Sequence, residues 1–145
     1  MSLENWLNNA WLKKHETSPQ EIANLLAVVD RDIETSQVPK LGPDWSFDIA
    51  YNAILQAATA ALAAAGYQAD RVNKHKRVLD SLEFTLGLDK GAIDVLDAFR
   101  RKRHTAVYEV VGAVSEQEAS EVVTLAKDIR ARLHAWLRNE YPDLV

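Results

Sequence analysis

Apolar residues recur along this chain at intervals of three and four, the spacing that places them on one face of an α-helix. No segment alternates between apolar and polar residues as a half-buried strand does. Glycine and proline separate the periodic segments from one another. The pattern predicts six helices and no β-sheet, with helices over residues 2–14, 18–35, 45–66, 73–87, 92–110 and 115–139.

Two of the predicted helices begin with a strong capping signal. Ser18 precedes Pro19 and Glu21, so serine can cap the helix, proline can take its first position and glutamate can close a capping box. Ser115 and Glu118 form a similar signal before the last helix. These signals define where both helices start more sharply than periodicity does.

The third predicted helix has a broad apolar face that consists largely of alanine. Small side chains let a neighbouring helix approach closely, and Gly66 is placed to cap the end of the helix. Nothing along the chain marks a linker or an internal repeat. We therefore predict one all-α domain over residues 1–145, an up-and-down antiparallel bundle of four main helices with short additional helices.

Composition narrows the class of protein further. Nearly half of the 145 residues are apolar, at 48%, which is enough for a real core, and the chain contains no cysteine. The start of the chain lacks the basic and apolar segments of a signal peptide, and no apolar run is long enough to cross a bilayer. We expect a cytoplasmic protein that makes no membrane contact. The four histidines lack metal-ligand spacing, so we expect no metal and no cofactor.

The charge of the chain limits where an anionic partner can bind. A formal net charge of −4 means that any contact with nucleic acid must be local. The basic side chains cluster in two segments, residues 74–77 and 100–104. The first segment, Lys74-His75-Lys76-Arg77, either forms a solvated basic turn or extends a phosphate-binding surface, if the bundle brings it near Arg103.

The second basic cluster interrupts the apolar face of the fifth predicted helix. Ile93, Leu96 and Phe99 mark the inward face of this helix. The same steps of three and four then reach Arg100, Arg103, His104, Val107 and Val111, and they leave Arg101 and Lys102 on the solvent side. Burying an unpaired guanidinium is costly, so these arginines must face carboxylates, a groove or another chain.

Two interpretations of the inward arginines stay open. In the first, they pair with aspartate or glutamate of neighbouring helices and only stabilise the bundle. In the second, Arg100, Arg103, His104 and Tyr108 line a groove that binds phosphate. Arginine suits that role because its planar guanidinium donates two parallel, charge-assisted hydrogen bonds.

Residues 96–109, with the sequence LDAFRRKRHTAVYE, resemble the signature segment of the HEPN superfamily. Those domains often carry R-x-x-R-N-x-x-x-Y or R-N-x-x-x-H on a late helix that one more helix follows. The alanine-rich helix before Gly66, followed by His75 and a leucine-containing helix, is similar to a bacterial branch of the family. The resemblance covers roughly residues 48–137.

This resemblance implies a four-helix bundle that is usually paired into a homodimer, and it implies a link to RNA. Many HEPN domains are metal-independent ribonucleases, often toxins encoded beside a minimal nucleotidyltransferase antitoxin. In these enzymes arginine steadies the phosphate, and histidine moves protons while the ribose 2′-hydroxyl attacks. Two copies of the motif face each other across the dimer groove.

The motif of this chain departs from the nuclease pattern at one position. Arg103 takes the arginine position and His104 the polar position, but Tyr108 stands where the catalytic histidine belongs. Tyrosine has an ordinary pKa of about 10 and shuttles protons poorly near neutral pH. From Arg100 to His104 the spacer is shorter than the family's usual one. We therefore predict weak or absent nuclease activity.

The expected function is that of a HEPN-like domain that binds RNA, a nucleotide or a nucleotidyltransferase partner, within a toxin–antitoxin or defence system, as a homodimer. The candidate catalytic residues are Arg103, His104 and Tyr108. The candidate RNA- or nucleotide-binding residues are Arg100, Arg103, Lys74 and Arg77. Two alternatives remain: an active metal-independent endoribonuclease, and a structural bundle whose arginines lock a dimer.

Overall fold

The predicted helical class is confirmed by a computed structural model, which describes residues 1–145 and is an all-α helical bundle. Its helices are α1 (Leu3–Asn8), α2 (Pro19–Ser36), α3 (Pro43–Ala64), α4 (Lys74–Asp80), α5 (Lys90–Tyr108) and α6 (Glu116–Glu140). Two short strands, β1 (Leu12–Lys14) and β2 (Tyr67–Ala69), and two 3₁₀ turns, Ser81–Glu83 and Pro142–Leu144, complete the chain. None of the helices combines the length and the apolar character that crossing a membrane requires.

The core is built around α3, which packs against α2, α4, α5 and α6. Its alanines are buried on several sides, and Ala58 and Ala61 have no exposed surface at all. On α6, Ile129, Leu133 and Leu137 are equally buried. The alanine-rich face predicted from the sequence is therefore the centre of the bundle.

Helices α2 and α3 form an antiparallel hairpin that polar contacts hold in register. The Ser46 hydroxyl donates to the Ser36 carbonyl at 2.7 Å. Further along, Asn52 Nδ2 donates to Asp32 Oδ2 at 2.7 Å, and Asp32 is buried. The buried carboxylate thus has a hydrogen-bond partner on the neighbouring helix, as a buried charge requires.

The prediction of no β-sheet is wrong, and so is the predicted first helix over residues 2–14. The helix ends at Asn8, and Leu12–Lys14 pairs antiparallel with Tyr67–Ala69, with Leu12 opposite Ala69. Strands of three residues are too short to show the alternation that identifies a strand in a sequence. Their pairing satisfies backbone groups of segments that are distant in the chain.

The fourth helix is also shorter than predicted, because α4 ends at Asp80 and passes into a 3₁₀ turn. At this point two buried hydroxyl side chains donate hydrogen bonds to backbone carbonyls three and four residues earlier in the chain. Ser81 Oγ donates to the Val78 carbonyl at 2.6 Å, and Thr85 Oγ1 donates to the Ser81 carbonyl at 3.3 Å. Hydroxyl groups of this kind compete with regular helix geometry.

The capping predictions hold for one helix completely and for the other in part. Ser115 and Glu118 form both bonds of a capping box at the start of α6. Ser18 caps α2 by accepting from the Glu21 amide at 3.1 Å. The Glu21 side chain instead accepts from the Thr17 hydroxyl at 2.6 Å and lies 2.7 Å from His15 Nε2. Its pKa is below the usual range because of those two hydrogen bonds.

The close packing of α3 can be tested with one enlarged alanine. Ala58→Leu introduces three carbons into a site without free surface and should lower the free energy of unfolding by about 1–3 kcal/mol. The matched control Ala98→Leu enlarges an exposed alanine of α5 and should change it by less than about 0.5 kcal/mol. Urea denaturation measures both. Equal midpoints for the two variants would contradict the close approach.

Candidate functional site: a basic cleft

An aromatic contact fixes α5 against α3. The Phe47 and Phe99 rings meet edge to face, with centroids 5.5 Å apart and planes at 84°. One turn further along α5 comes Arg103, and one turn further along α3 comes Tyr51, because side chains four residues apart share a helix face. This edge-to-face contact therefore determines which polar side chains of the two helices meet.

Arg103 is held between the two helices by a carboxylate and an aromatic ring. Its Nε lies 2.7 Å from Asp48 Oδ1, and its guanidinium carbon lies 5.5 Å from the centroid of the Tyr51 ring. The side chain is only 26% exposed. The structure thus supplies the carboxylate partner that the inward position of this arginine requires.

Asp97 is the second carboxylate of the region, and three cations share it. Its oxygens lie 3.0 Å from Arg100 Nε, 3.5 Å from Arg101 Nε and 3.9 Å from Lys76 Nζ. Burial by itself would raise the pKa of Asp97, but the Arg100 hydrogen bond and the three positive charges outweigh burial and lower it. Asp97 therefore stays ionised and balances only part of the positive charge around it.

Beside these ion pairs lies an open cleft of about 480 Å³, which we call the basic cleft. It is bounded by α3, α4 and α5. The residues that line it are Tyr51, His75, Arg100, Arg101, Arg103, His104 and Thr105. No carboxylate is among them. Another groove of about 700 Å³, beside α5 and α6, is lined by Glu121 and Asp128 and is less suited to an anion.

His75 enters the cleft from α4 and is held neutral by its surroundings. Burial and then the charges of Arg103, Lys74 and Arg100 lower its pKa below the usual value. Near neutral pH its imidazole can therefore accept a proton or a hydrogen bond. The sequence analysis counted His75 in the basic segment 74–77, which could extend a phosphate-binding surface, but did not name it as a candidate site residue. Its position beside Lys74 in a basic turn was the available signal.

Tyr51 lies at the base of the cleft and is almost wholly buried, at 1% exposure. Its hydroxyl has no hydrogen-bond partner. Burial raises the pKa of Tyr51 to about 12, although Arg103 and Arg100 oppose the shift. The phenol therefore remains protonated at neutral pH. The sequence pattern assigned this residue to the apolar face of α3, and nothing there set it apart.

The inward position predicted for His104 is wrong, because its side chain is 64% exposed. The imidazole lies at the mouth of the cleft, with Nε2 3.6 Å from Glu109 Oε1. The centroid of its ring lies 5.0 Å from that of Tyr108, one turn further along the helix. Tyr108 itself is exposed and does not line the cleft.

The predicted inward stripe ends at Arg103. Beyond it, Val107 is exposed, and Val111, which lies past the end of α5 at Tyr108, is 95% exposed. Lys102, predicted to face solvent, is partly buried and lies 3.4 Å from Glu118 Oε2. After α5 the chain turns, and Asp44 accepts from the Gly112 amide at 2.8 Å. The apolar spacing in the sequence therefore extends beyond the part of α5 that neighbouring helices cover.

The other two candidate binding residues lie outside the cleft. Lys74 lines a small cavity of about 140 Å³ together with His15 and Glu21. Arg77 packs on Trp11, with its guanidinium carbon 3.7 Å from the ring centroid. The structure thus brings together Arg100, Arg103 and His104 from the predicted site, adds Tyr51, His75 and Arg101, and leaves out Lys74, Arg77 and Tyr108.

The donors of this cleft suit an anion with several oxygens. A guanidinium has five N–H donors, so the single Nε hydrogen bond that Arg100 and Arg103 each give an aspartate leaves further donors. No group of three or more His, Asp or Glu side chains is arranged to hold a metal ion. No protein-family model, curated protein or solved structure matches the chain.

The environment of His75 leads to a prediction about pH. An NMR titration should find the His75 pKa below about 6.5, the ordinary value for histidine, and Arg103→Gln should raise it by removing a nearby positive charge. Unfolded His75 takes up its proton at higher pH than folded His75, so the free energy of unfolding should fall as the pH drops below about 6.5. His75→Gln assigns the resonance and should reduce that fall. Titration of His75 at or above 6.5 would contradict the assigned environment.

Proposed function

We propose that this protein binds the phosphate groups of RNA or of a nucleotide in the basic cleft. The observation that carries the proposal is the convergence of Arg100, Arg101 and Arg103 on one cavity whose lining includes no carboxylate. Phosphate oxygens accept charge-assisted hydrogen bonds from guanidinium, and such bonds are stronger than neutral ones. A positive groove of this kind binds nucleic acid without requiring a particular base sequence.

The neighbouring aspartates strengthen this argument. Asp48 and Asp97 are not among the residues that line the cleft, and they contact Nε of Arg103 and Arg100 at 2.7 Å and 3.0 Å. Each guanidinium is therefore already oriented before a ligand arrives, which reduces the entropy lost on binding. The two carboxylates offset part of the positive charge but leave an excess on the cleft side.

We further propose that the domain is HEPN-like and acts with a minimal nucleotidyltransferase partner in a toxin–antitoxin or defence system. The support is the motif from Arg100 to Tyr108 on a late helix that one more helix follows. Co-expression with a nucleotidyltransferase encoded beside it, followed by co-purification, tests the partner. Separate elution of the two proteins would contradict the proposed partnership.

Arg103 should matter more for binding than for folding. Arg103→Ala should weaken binding of a fluorescent single-stranded RNA by about 1.5–3 kcal/mol, the effect of losing hydrogen bonds to a charged group. Fluorescence anisotropy at several salt concentrations measures the affinity. The dependence on salt should also become shallower, because one phosphate contact is lost.

The matched control for this experiment is Arg132→Ala. Arg132 lies on α6 and pairs with Asp128 at 3.2 Å, and it does not line the cleft. The Arg132→Ala variant should bind RNA with the affinity of the wild type. If Arg103→Ala unfolds the protein and the wild type binds neither RNA nor nucleotide, the arginines are structural and the proposed function fails.

RNA cleavage is a second candidate function, and one observation favours it. His75 and His104 line the same cleft as the arginines, and the pKa of His75 is lowered. A neutral imidazole can take the proton of a ribose 2′-hydroxyl, which Tyr108 does poorly. Denaturing gels of the RNA after incubation with the protein show whether it is cleaved. Cleavage that disappears in both His75→Ala and His104→Ala supports a nuclease, and intact RNA supports binding alone.

We also propose that the protein forms a homodimer. Arg100 and Arg103 no longer support this, because Asp97 and Asp48 of the same chain already pair with them. The supporting observation is instead the group of exposed apolar residues at the end of α5 and just beyond it, Val107, Val110 and Val111, since exposed apolar clusters mark contact surfaces. Sedimentation equilibrium should show a dimer that Val111→Lys weakens. A monomer at high micromolar concentration would refute it.

A further inference from the structure

The unpartnered hydroxyl of Tyr51 is the feature of the cleft that phosphate binding in general does not explain. A buried polar group without a partner is rare, because it forfeits its hydrogen bond to water. Here the side chain is 1% exposed and yet lines a cleft that opens to solvent. Because Tyr51 lines the cleft, its hydroxyl is available to donate to an acceptor that enters the cleft.

The chemistry of the surroundings defines that acceptor. With a pKa of about 12, the Tyr51 phenol is protonated at neutral pH and can donate its proton in a hydrogen bond. The guanidinium of Arg103 lies 5.5 Å from the tyrosine ring, and Arg100 and His75 line the same space. The carboxylates of Asp97 and Asp48 also act on Tyr51, but Arg103 and Arg100 act on it more strongly. An acceptor in this position therefore meets net positive charge and a neutral donor. An anionic oxygen fits both.

The depth of Tyr51 discriminates between two kinds of phosphate. An internal phosphodiester is attached to the chain on both sides, so it presents only two free oxygens and must pass across the mouth of a cleft. A terminal phosphate monoester has one attachment and three free oxygens, and it can enter end-on. It also carries about −1.5 to −2 charges at neutral pH, which the arginines can balance.

We propose that the basic cleft recognises a terminal phosphate monoester, as found on a phosphorylated RNA end or a nucleoside monophosphate, and that the Tyr51 hydroxyl donates a hydrogen bond to it. This inference rests on the proposed phosphate binding. It goes further in naming the substrate class and a specificity-determining residue. The arginines of α5 bind the phosphate oxygens nearer the mouth of the cleft, and the Tyr51 hydroxyl donates to the oxygen that reaches its base.

The experiment compares matched probes that differ only in the terminal phosphate. Isothermal titration measures binding of an octauridylate with and without a 5′-phosphate, and of AMP against adenosine. The first pair tests RNA ends, and the second tests free nucleotides. For the wild type we expect the phosphorylated member of at least one pair to bind at least tenfold more tightly than its unphosphorylated counterpart.

Two tyrosine-to-phenylalanine variants, each of which lacks one hydroxyl group, complete the test. Tyr51→Phe should weaken binding of the phosphorylated probe about tenfold, as loss of one hydrogen bond to a charged group does, and should leave the unphosphorylated octauridylate unaffected. Its thermal stability should not fall, because the deleted hydroxyl has no partner. Tyr67→Phe removes a hydroxyl from a residue that lines a different cavity and should bind as the wild type does.

The outcomes separate this inference from the proposed function. Equal binding within both pairs, that is, of octauridylate with and without its 5′-phosphate and of AMP and adenosine, overturns terminal recognition, and RNA binding still stands if octauridylate binds. Wild-type affinity in Tyr51→Phe overturns the role of the hydroxyl. Binding of no probe at all overturns the proposed function together with the inference. A phosphate-dependent gain that Tyr51→Phe removes and Tyr67→Phe preserves supports the proposal.

Discussion

The close packing of neighbouring helices around α3 is the constraint on which the rest of this structure depends. Alanines such as Ala58 and Ala61 have no exposed surface, so α2, α4, α5 and α6 can pack around one central helix. Because α3 carries little side-chain volume at these positions, its few larger residues decide how each neighbour is aligned. Phe47 aligns α5 through the edge-to-face contact with Phe99.

The basic cleft is a consequence of that alignment. Once Phe47 meets Phe99, Asp48 and Tyr51 lie against Arg103, and α4 brings His75 to the same opening. The aspartates paired with Arg100 and Arg103 reduce the cost of placing these cations against the bundle, since unpaired charge near a core is costly. They also leave a cleft whose own lining carries no negative side chain. The same ion pairs therefore stabilise the fold and prepare an anion site.

Predictions from periodicity succeeded where local rules apply and failed where the bundle ends. The spans of α2, α3, α5 and α6 differ from the predicted ones by one or two residues at each end. The three-residue strands were missed because their pairing joins Leu12 to Ala69, far along the chain. His104 and Val107 continue the apolar period of α5 but are exposed, and Val111 lies beyond the end of the helix. Apolar spacing indicates that a segment is helical, but it does not show how far neighbouring helices cover that segment.

The sequence by itself determined the helical class, the main helix spans and the presence of a basic segment on α5, because apolar spacing and capping are properties of neighbouring residues. Only the tertiary structure decided which charges meet. Arg103 pairs with a carboxylate 55 residues away, Arg77 is drawn onto Trp11 instead of the cleft, and Tyr51 and His75 join a site that no spacing rule indicates. The physical reason is that a side chain's partner depends on which helix faces come into contact, and packing of the whole core determines those faces.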